Sequence, residues 1–136
     1  MLVLGIDPGI ARTGWGVIEI EGSKLRVKDY GCIETSLKLS PEIRLKEIFA
    51  AITHIIKVHN PEEIAIEKLF FNTNVTTAFA VGQARGVVIL AAAEKNMRVF
   101  EYTPLQVKVA LTGYGRADKN QIGQMVKIVL KLESIP

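Results

Sequence analysis

The feature that most constrains this chain is a short apolar run that ends on an acid. Met1 to Ile6 are almost wholly apolar, and Asp7 follows directly. Such a run suits an inner strand covered on both faces. Side chains alternate along a strand, so Leu2, Leu4 and Ile6 share one face and Val3, Gly5 and Asp7 share the other. An unpaired carboxylate is costly to bury. Asp7 therefore needs a partner, a metal ion or an exposed strand end. Pro8-Gly9 supplies turn chemistry, and Gly14 and Gly16 permit close backbone approach in a second strand. A plain hairpin whose turn starts at an Asp accounts for the same spacing.

Thr13 to Glu21 reads as that second strand, and Glu21-Gly22-Ser23 as its turn. Lys24 to Thr35 reads as a third, with Gly31 a bulge or weak point. Ser40-Pro41-Glu42 is a helix start, with a capping Ser, Pro at the first helical position and acid in the first turn. Leu45, Ile48, Phe49, Ile52, Ile55 and Ile56 recur at helical spacing up to about His59, and Asn60-Pro61 stops them. Glu63 to Leu69 is a fourth strand. There Ala65 and Glu67 share a face, and Glu67 again ends an apolar run on a carboxylate. Thr73 to about Lys95 forms a long helix whose Gly82, Ala84 and Gly86 suit close packing, either across a dimer or inside one monomer. Met97 to Tyr102 is a fifth strand, and Thr103-Pro104 starts a short helix through Leu111. After a glycine-containing loop, Asp118 caps a last helix running to about Leu132. The order βββαβαβαα describes an α/β domain, a mixed sheet flanked by helices, with residues 1–136 as one domain.

The longest uninterrupted apolar run, Val87 to Ala93, is too short to span a bilayer, so no membrane partner is expected. The first strand begins at the first residues, so no secretory leader is expected. Cys32 is the lone cysteine, which suits a reducing cytoplasm and reads as a small buried hydrophobe. The formal charge is only +3, but Tyr102 to Leu132 carries Lys108, Arg116, Lys119, Lys127 and Lys131 against Asp118 alone. That excess suits a polyanion such as nucleic acid, and equally an ordinary basic surface.

If the strands carrying Asp7 and Glu67 are neighbours, their carboxylates converge. Converging carboxylates repel and favour a divalent cation. Oxygen donors without a His or Cys cluster point to Mg²⁺ or Mn²⁺, and such sites cleave phosphodiesters. A plain ion pair between Glu67 and a neighbour is the competing reading. His54 and His59 are five residues apart and do not share a helix face. Gly9 to Gly14 has Walker-loop glycine spacing, but Trp15 stands where the essential Lys belongs, so a P-loop is rejected. Phe70-Phe71-Asn72 comes soon after Glu67. One of these aromatics can face out and stack on bases, or one can fill the core while the other covers a helix.

Several separated motifs together resemble the RuvC family of Holliday junction resolvases. They are Gly5-Ile6-Asp7-Pro8-Gly9 through Thr13-Gly14 and Gly16-Val17, Gly31-Cys32-Ile33-Glu34-Thr35, and Ile66-Glu67-Lys68-Leu69-Phe70. Gly82-Gln83-Ala84-Arg85-Gly86-Val87, Glu101-Tyr102 through Lys108, and Gly113 through Lys119 and Gln121 complete the set. The resemblance implies a ribonuclease-H-like fold with a mixed five-stranded sheet. It also implies a homodimer that nicks four-way junction DNA in pairs, using Mg²⁺. It assigns Asp7 and Glu67 as catalytic, metal-holding carboxylates, and Phe70 as an aromatic near the junction centre, flanked by Phe71 and Asn72. Lys108 and Lys119, with Arg116 beside them, become DNA contacts. The long helix with Gly82 and Gly86 becomes the dimer interface. A junction-migrating motor complex of the RuvA and RuvB type is a further implied partner.

The family completes its acidic cluster with further acids on a C-terminal helix, and this sequence ends at Pro136, where that segment begins. Asp118 and Glu133 do not match those positions. Two carboxylates alone hold metal weakly, so weak metal binding and poor cleavage are expected of the 136-residue chain. The alternative function is thus a catalytically impaired junction-binding module. A nucleotide-binding domain of the actin and sugar-kinase group is a further alternative, though that group closes two such domains around ATP.

Overall fold

Three extended segments joined by tight turns form an antiparallel meander: β1 (Leu2–Asp7), β2 (Arg12–Glu21) and β3 (Lys24–Glu34). Gly22 makes the β2–β3 turn possible, with φ at +60°. The computed structural model describes residues 1–68, 75–113 and 115–136. Within them the chain continues as α1 (Pro41–His59), β4 (Glu63–Glu67), α2 (Val75–Glu94), β5 (Arg98–Tyr102), α3 (Pro104–Thr112) and α4 (Lys119–Val129). The strands form one sheet in the order β3-β2-β1-β4-β5. β4 and β5 run parallel to β1, so each is reached by a helical crossover, α1 and then α2.

Register explains the core. Leu4 pairs with Val17 on one side and Ile64 on the other, and Ile6 pairs with Trp15 and Ile66. These side chains share one face. They meet Ile48, Ile52, Ile55 and Ile56 of α1 and Ala84, Val88, Ala91 and Ala92 of α2. Each fully buried aliphatic chain contributes about 1.5–3 kcal/mol. Ala84 packs in this core, whereas a Cβ at Gly86 would meet open space. The small residues of α2 therefore serve two faces.

The opposite face is thinner. α3 and α4 pack on each other there and bury no residue fully. Thr103–Gln106 and Asp118–Gln121 form reciprocal capping boxes that start these helices. α4 ends before the expected Leu132. Lys131 takes φ +54°, and its N–H and that of Leu132 close back onto Ile128 and Lys127 in a Schellman motif.

Four local expectations are corrected. Cys32 is exposed, because β3 is an edge strand and nothing covers its outer face there. The bulge in β3 falls where the register slips between Val17 and Ile18, not at Gly31. Gly31 instead makes room for the Trp15 ring, which a Cβ would approach to 3.0 Å. Close backbone approach occurs at Gly9, where a Cβ would lie 2.4 Å from the Arg12 carbonyl oxygen, rather than at Gly14 or Gly16. Ser40 occupies the N-cap of α1, yet its side chain makes no cap hydrogen bond.

Candidate active site

β1 and β4 are adjacent and parallel, with Gly5 opposite Ala65 and Ile6 opposite Ile66. Continuing that register by one residue brings Asp7 beside Glu67, on the face away from the main core. Both strands end there, so the two acids sit at an open sheet end rather than in the apolar interior. Asp7 is exposed and Glu67 is half-buried. Burial holds the Glu67 carboxyl above its ordinary value. The Asp7 charge and a hydrogen bond to Asp7 raise it further, while Lys108 opposes them.

The pair opens into a cleft of about 530 Å³ lined also by Ala65, Tyr102, Lys108 and Lys119. α3 delivers Lys108 and the first residue of α4 delivers Lys119, so the two late helices place cations beside the two strand-end acids. Such a cleft can take a phosphodiester: acids for a hard cation, ammonium groups for phosphate oxygens. Among the described residues no cluster of three or more His, Cys, Asp or Glu side chains forms a fuller metal cage. Asp118 is committed to its cap, accepting from the Gln121 N–H at 2.8 Å.

Arg116 is exposed and does not line the cleft. Phe70, Phe71 and Asn72 lie outside the described residues. His54 is exposed, and His59 meets Asp29 at 3.1 Å and the Trp15 ring at 6.0 Å, so neither histidine joins the acids.

Behind Asp7 lies a buried polar network. Thr13 is fully buried, and its Oγ1 donates to the Gly9 carbonyl at 2.6 Å and accepts from the Gly9 N–H at 3.3 Å. Thr35 donates to the Ile10 carbonyl through Oγ1 at 2.5 Å, and through its N–H to the Ala11 carbonyl at 3.0 Å. The Arg44 Nε donates to Thr35 Oγ1 at 2.8 Å. These residues hold the turn that comes after Asp7. One signal for them was present in the sequence: Arg44 lies four residues before Ile48, on the apolar stripe of α1, where a cation needs a reason.

The family model described as "Crossover junction endodeoxyribonuclease RuvC" matches residues 3–136. The chain belongs to the RuvC family. A RuvC crossover junction endodeoxyribonuclease of Alkaliphilus metalliredigens is 54% identical over 136 residues, covering all of this chain and 83% of that relative. The Thermus thermophilus RuvC structure superposes with a TM-score of 0.91 at 37% identity, covering all of this chain and 84% of that one. T. thermophilus RuvC in complex with a Holliday junction substrate gives 0.93 at 36% identity, covering all of this chain and 83% of that one. The RuvC fold is thus shared over every element described above, and the ribonuclease-H-like mixed sheet expected from the motifs is the fold observed.

Proposed function

We infer that this chain is a structure-specific endonuclease that resolves four-way DNA junctions in recombination and repair, with Asp7 and Glu67 as its catalytic carboxylates. The observation that carries the residue assignment is the convergence of Asp7 and Glu67 on one sheet face, where Asp7 helps to raise the Glu67 carboxyl. The family and its relatives bear the name of a nuclease, which favours cleavage over binding alone.

Two hard oxygen donors, with lysines for phosphate nearby, fit Mg²⁺ or Mn²⁺, held by Asp7 and Glu67. When bound, such an ion makes water a stronger nucleophile and stabilises the leaving oxygen. The chain's own residues do the rest. Burial and the Asp7 charge hold the Glu67 carboxyl up, and Lys108 opposes them. Lys108 and Lys119 hold phosphate oxygens and offset the charge that develops on them. Phe70, with Phe71 and Asn72, holds bases unstacked near the junction centre.

The chain acts as a homodimer through α2. Val75, Phe79 and Leu90 are exposed on that helix, Phe79 by 71%, and Gly86 lies on the same side with open space before it. α2 is also long and apolar enough to cross a membrane by length and composition. Its opposite side is buried in the sheet core, so an apolar protein partner suits it better than lipid. The remaining expectations are a cytoplasmic location and a motor complex of the RuvA and RuvB type.

A synthetic four-way junction tests the function. The unaltered chain is expected to nick it when Mg²⁺ is supplied. Glu67→Gln should bind it without cutting, and preserved cutting by Glu67→Gln would remove Glu67 from the chemistry.

A further inference from the structure

The two lysines of the cleft lie on the β5 side of the acids. Across the acids, on the β2 side, Arg12 is an exposed long cation at the same sheet end. Its position is set by register. Asp7 pairs with Gly14, Gly14 pairs with Cys32, and Arg12 pairs with Glu34. Residues two apart share a face, so Arg12 and Gly14 lie on the face that carries Asp7. Arg12 is one strand across from Asp7 and two residues nearer the open end, roughly 8 Å away by ordinary strand spacing.

The backbone beneath Arg12 is held unusually firmly. Thr13 anchors Gly9 from one side, and Thr35 anchors Ile10 and Ala11 from the other. Arg44, itself buried, braces Thr35. Arg12 stands between these anchored residues with its side chain 73% exposed. Its guanidinium lies 3.6 Å from Glu34, which is itself largely exposed. So exposed a pair contributes little to stability. Glu34 instead keeps the guanidinium on this face and competes with any other anion for it.

We propose that Arg12 is a DNA-backbone contact on the β2 side of the acids, opposed by Glu34, so that the phosphate track runs across the carboxylate pair from Lys108 and Lys119 to Arg12. The proposal rests on the junction-cleaving reading above and adds a contact that reading does not contain. A guanidinium suits the task because its planar fork takes two phosphate oxygens at once. Exchanging Glu34 for phosphate breaks a weak exposed pair and forms a charge-assisted one.

The test is junction binding by the full chain, without divalent cation so that nothing is cut, over a series of salt concentrations. Arg12→Ala should bind about five- to tenfold more weakly, with a salt slope smaller by about one. Arg12→Lys should keep the slope. Glu34→Gln should tighten binding, and should do nothing when Arg12 is already Ala. Thermal unfolding of Arg12→Ala should match the unaltered chain, which separates lost contact from lost fold. Unchanged affinity and slope in Arg12→Ala overturn the contact while leaving the endonuclease reading intact. Failure of the unaltered chain to bind the junction overturns that reading and the contact with it.

Discussion

Glu67 stands beside Asp7 at the ends of the adjacent parallel strands β1 and β4, and burial, with the Asp7 charge behind it, holds the Glu67 carboxyl above its ordinary value. Burial and the Asp7 charge both favour protonated Glu67. The folded chain therefore binds a proton there more tightly than the unfolded chain. Stability associated with that proton is full below the ordinary carboxyl value and is lost as pH rises through the raised one. Glu67→Gln, which cannot ionise, should thus be more resistant to denaturant than the unaltered chain at neutral pH, with the advantage shrinking in acid. Urea unfolding at two pH values measures it, and an advantage that grows in acid would contradict this ionisation order.

Removing the Asp7 charge in Asp7→Asn should bring the Glu67 titration down toward the ordinary carboxyl range. Carbon-detected NMR of the Glu67 carboxyl, without divalent cation, tracks this directly. An unmoved titration would mean that burial alone raises Glu67.

Cleavage should depend on both acids far more than binding does. Asp7→Asn and Glu67→Gln are each expected to slow junction cutting by about 10³-fold or more, and the double variant by little beyond either, because the two act as a unit. Metal affinity of the unaltered chain should be weak, since two carboxylates supply few ligands. Calorimetric titration with Mn²⁺ measures it, and tight binding would require a donor beyond Asp7 and Glu67.

Trp15 lies over Gly31, so a methyl group at position 31 would crowd the indole at 3.0 Å and the ring would have to give way. Gly31→Ala should cost about 1–2 kcal/mol through displacement of the indole, read by chemical unfolding and by Trp15 fluorescence. Equal stability would show that the ring relaxes freely.

Thr13→Val keeps shape but strips the Gly9 N–H and carbonyl of their partner. A loss of about 1–3 kcal/mol is expected, together with slower cutting as the turn after Asp7 loosens. Cutting that falls without any loss of stability would separate the turn's positioning role from its packing.

The exposed stripe of α2 gives a test of assembly. Phe79→Glu should leave the fold intact, because that side chain faces away from the core, and should shift a homodimer to monomer in light scattering. A dimer that survives both Phe79→Glu and Leu90→Glu would place the interface elsewhere.

Strand and helix order was legible in the sequence because each element announces itself locally. Leu2, Leu4 and Ile6 alternate, Ile48, Ile52 and Ile55 recur at helical spacing, and Thr103 and Asp118 cap the two late helices. Asp7 and Glu67 stood out for the same local reason, as acids at the ends of apolar strands. Adjacency was not decided by the sequence alone. That β1 lies between β2 and β4, so that two acids sixty residues apart stand side by side, is a consequence of the α1 crossover. The exposure of Cys32 comes from β3 being an edge, and the fit of Gly31 under Trp15 from cross-strand register. Local pattern fixes which face a side chain takes, because backbone periodicity is a short-range property. Which side chains then meet depends on strand order and register, and these are settled only when distant apolar faces are buried together.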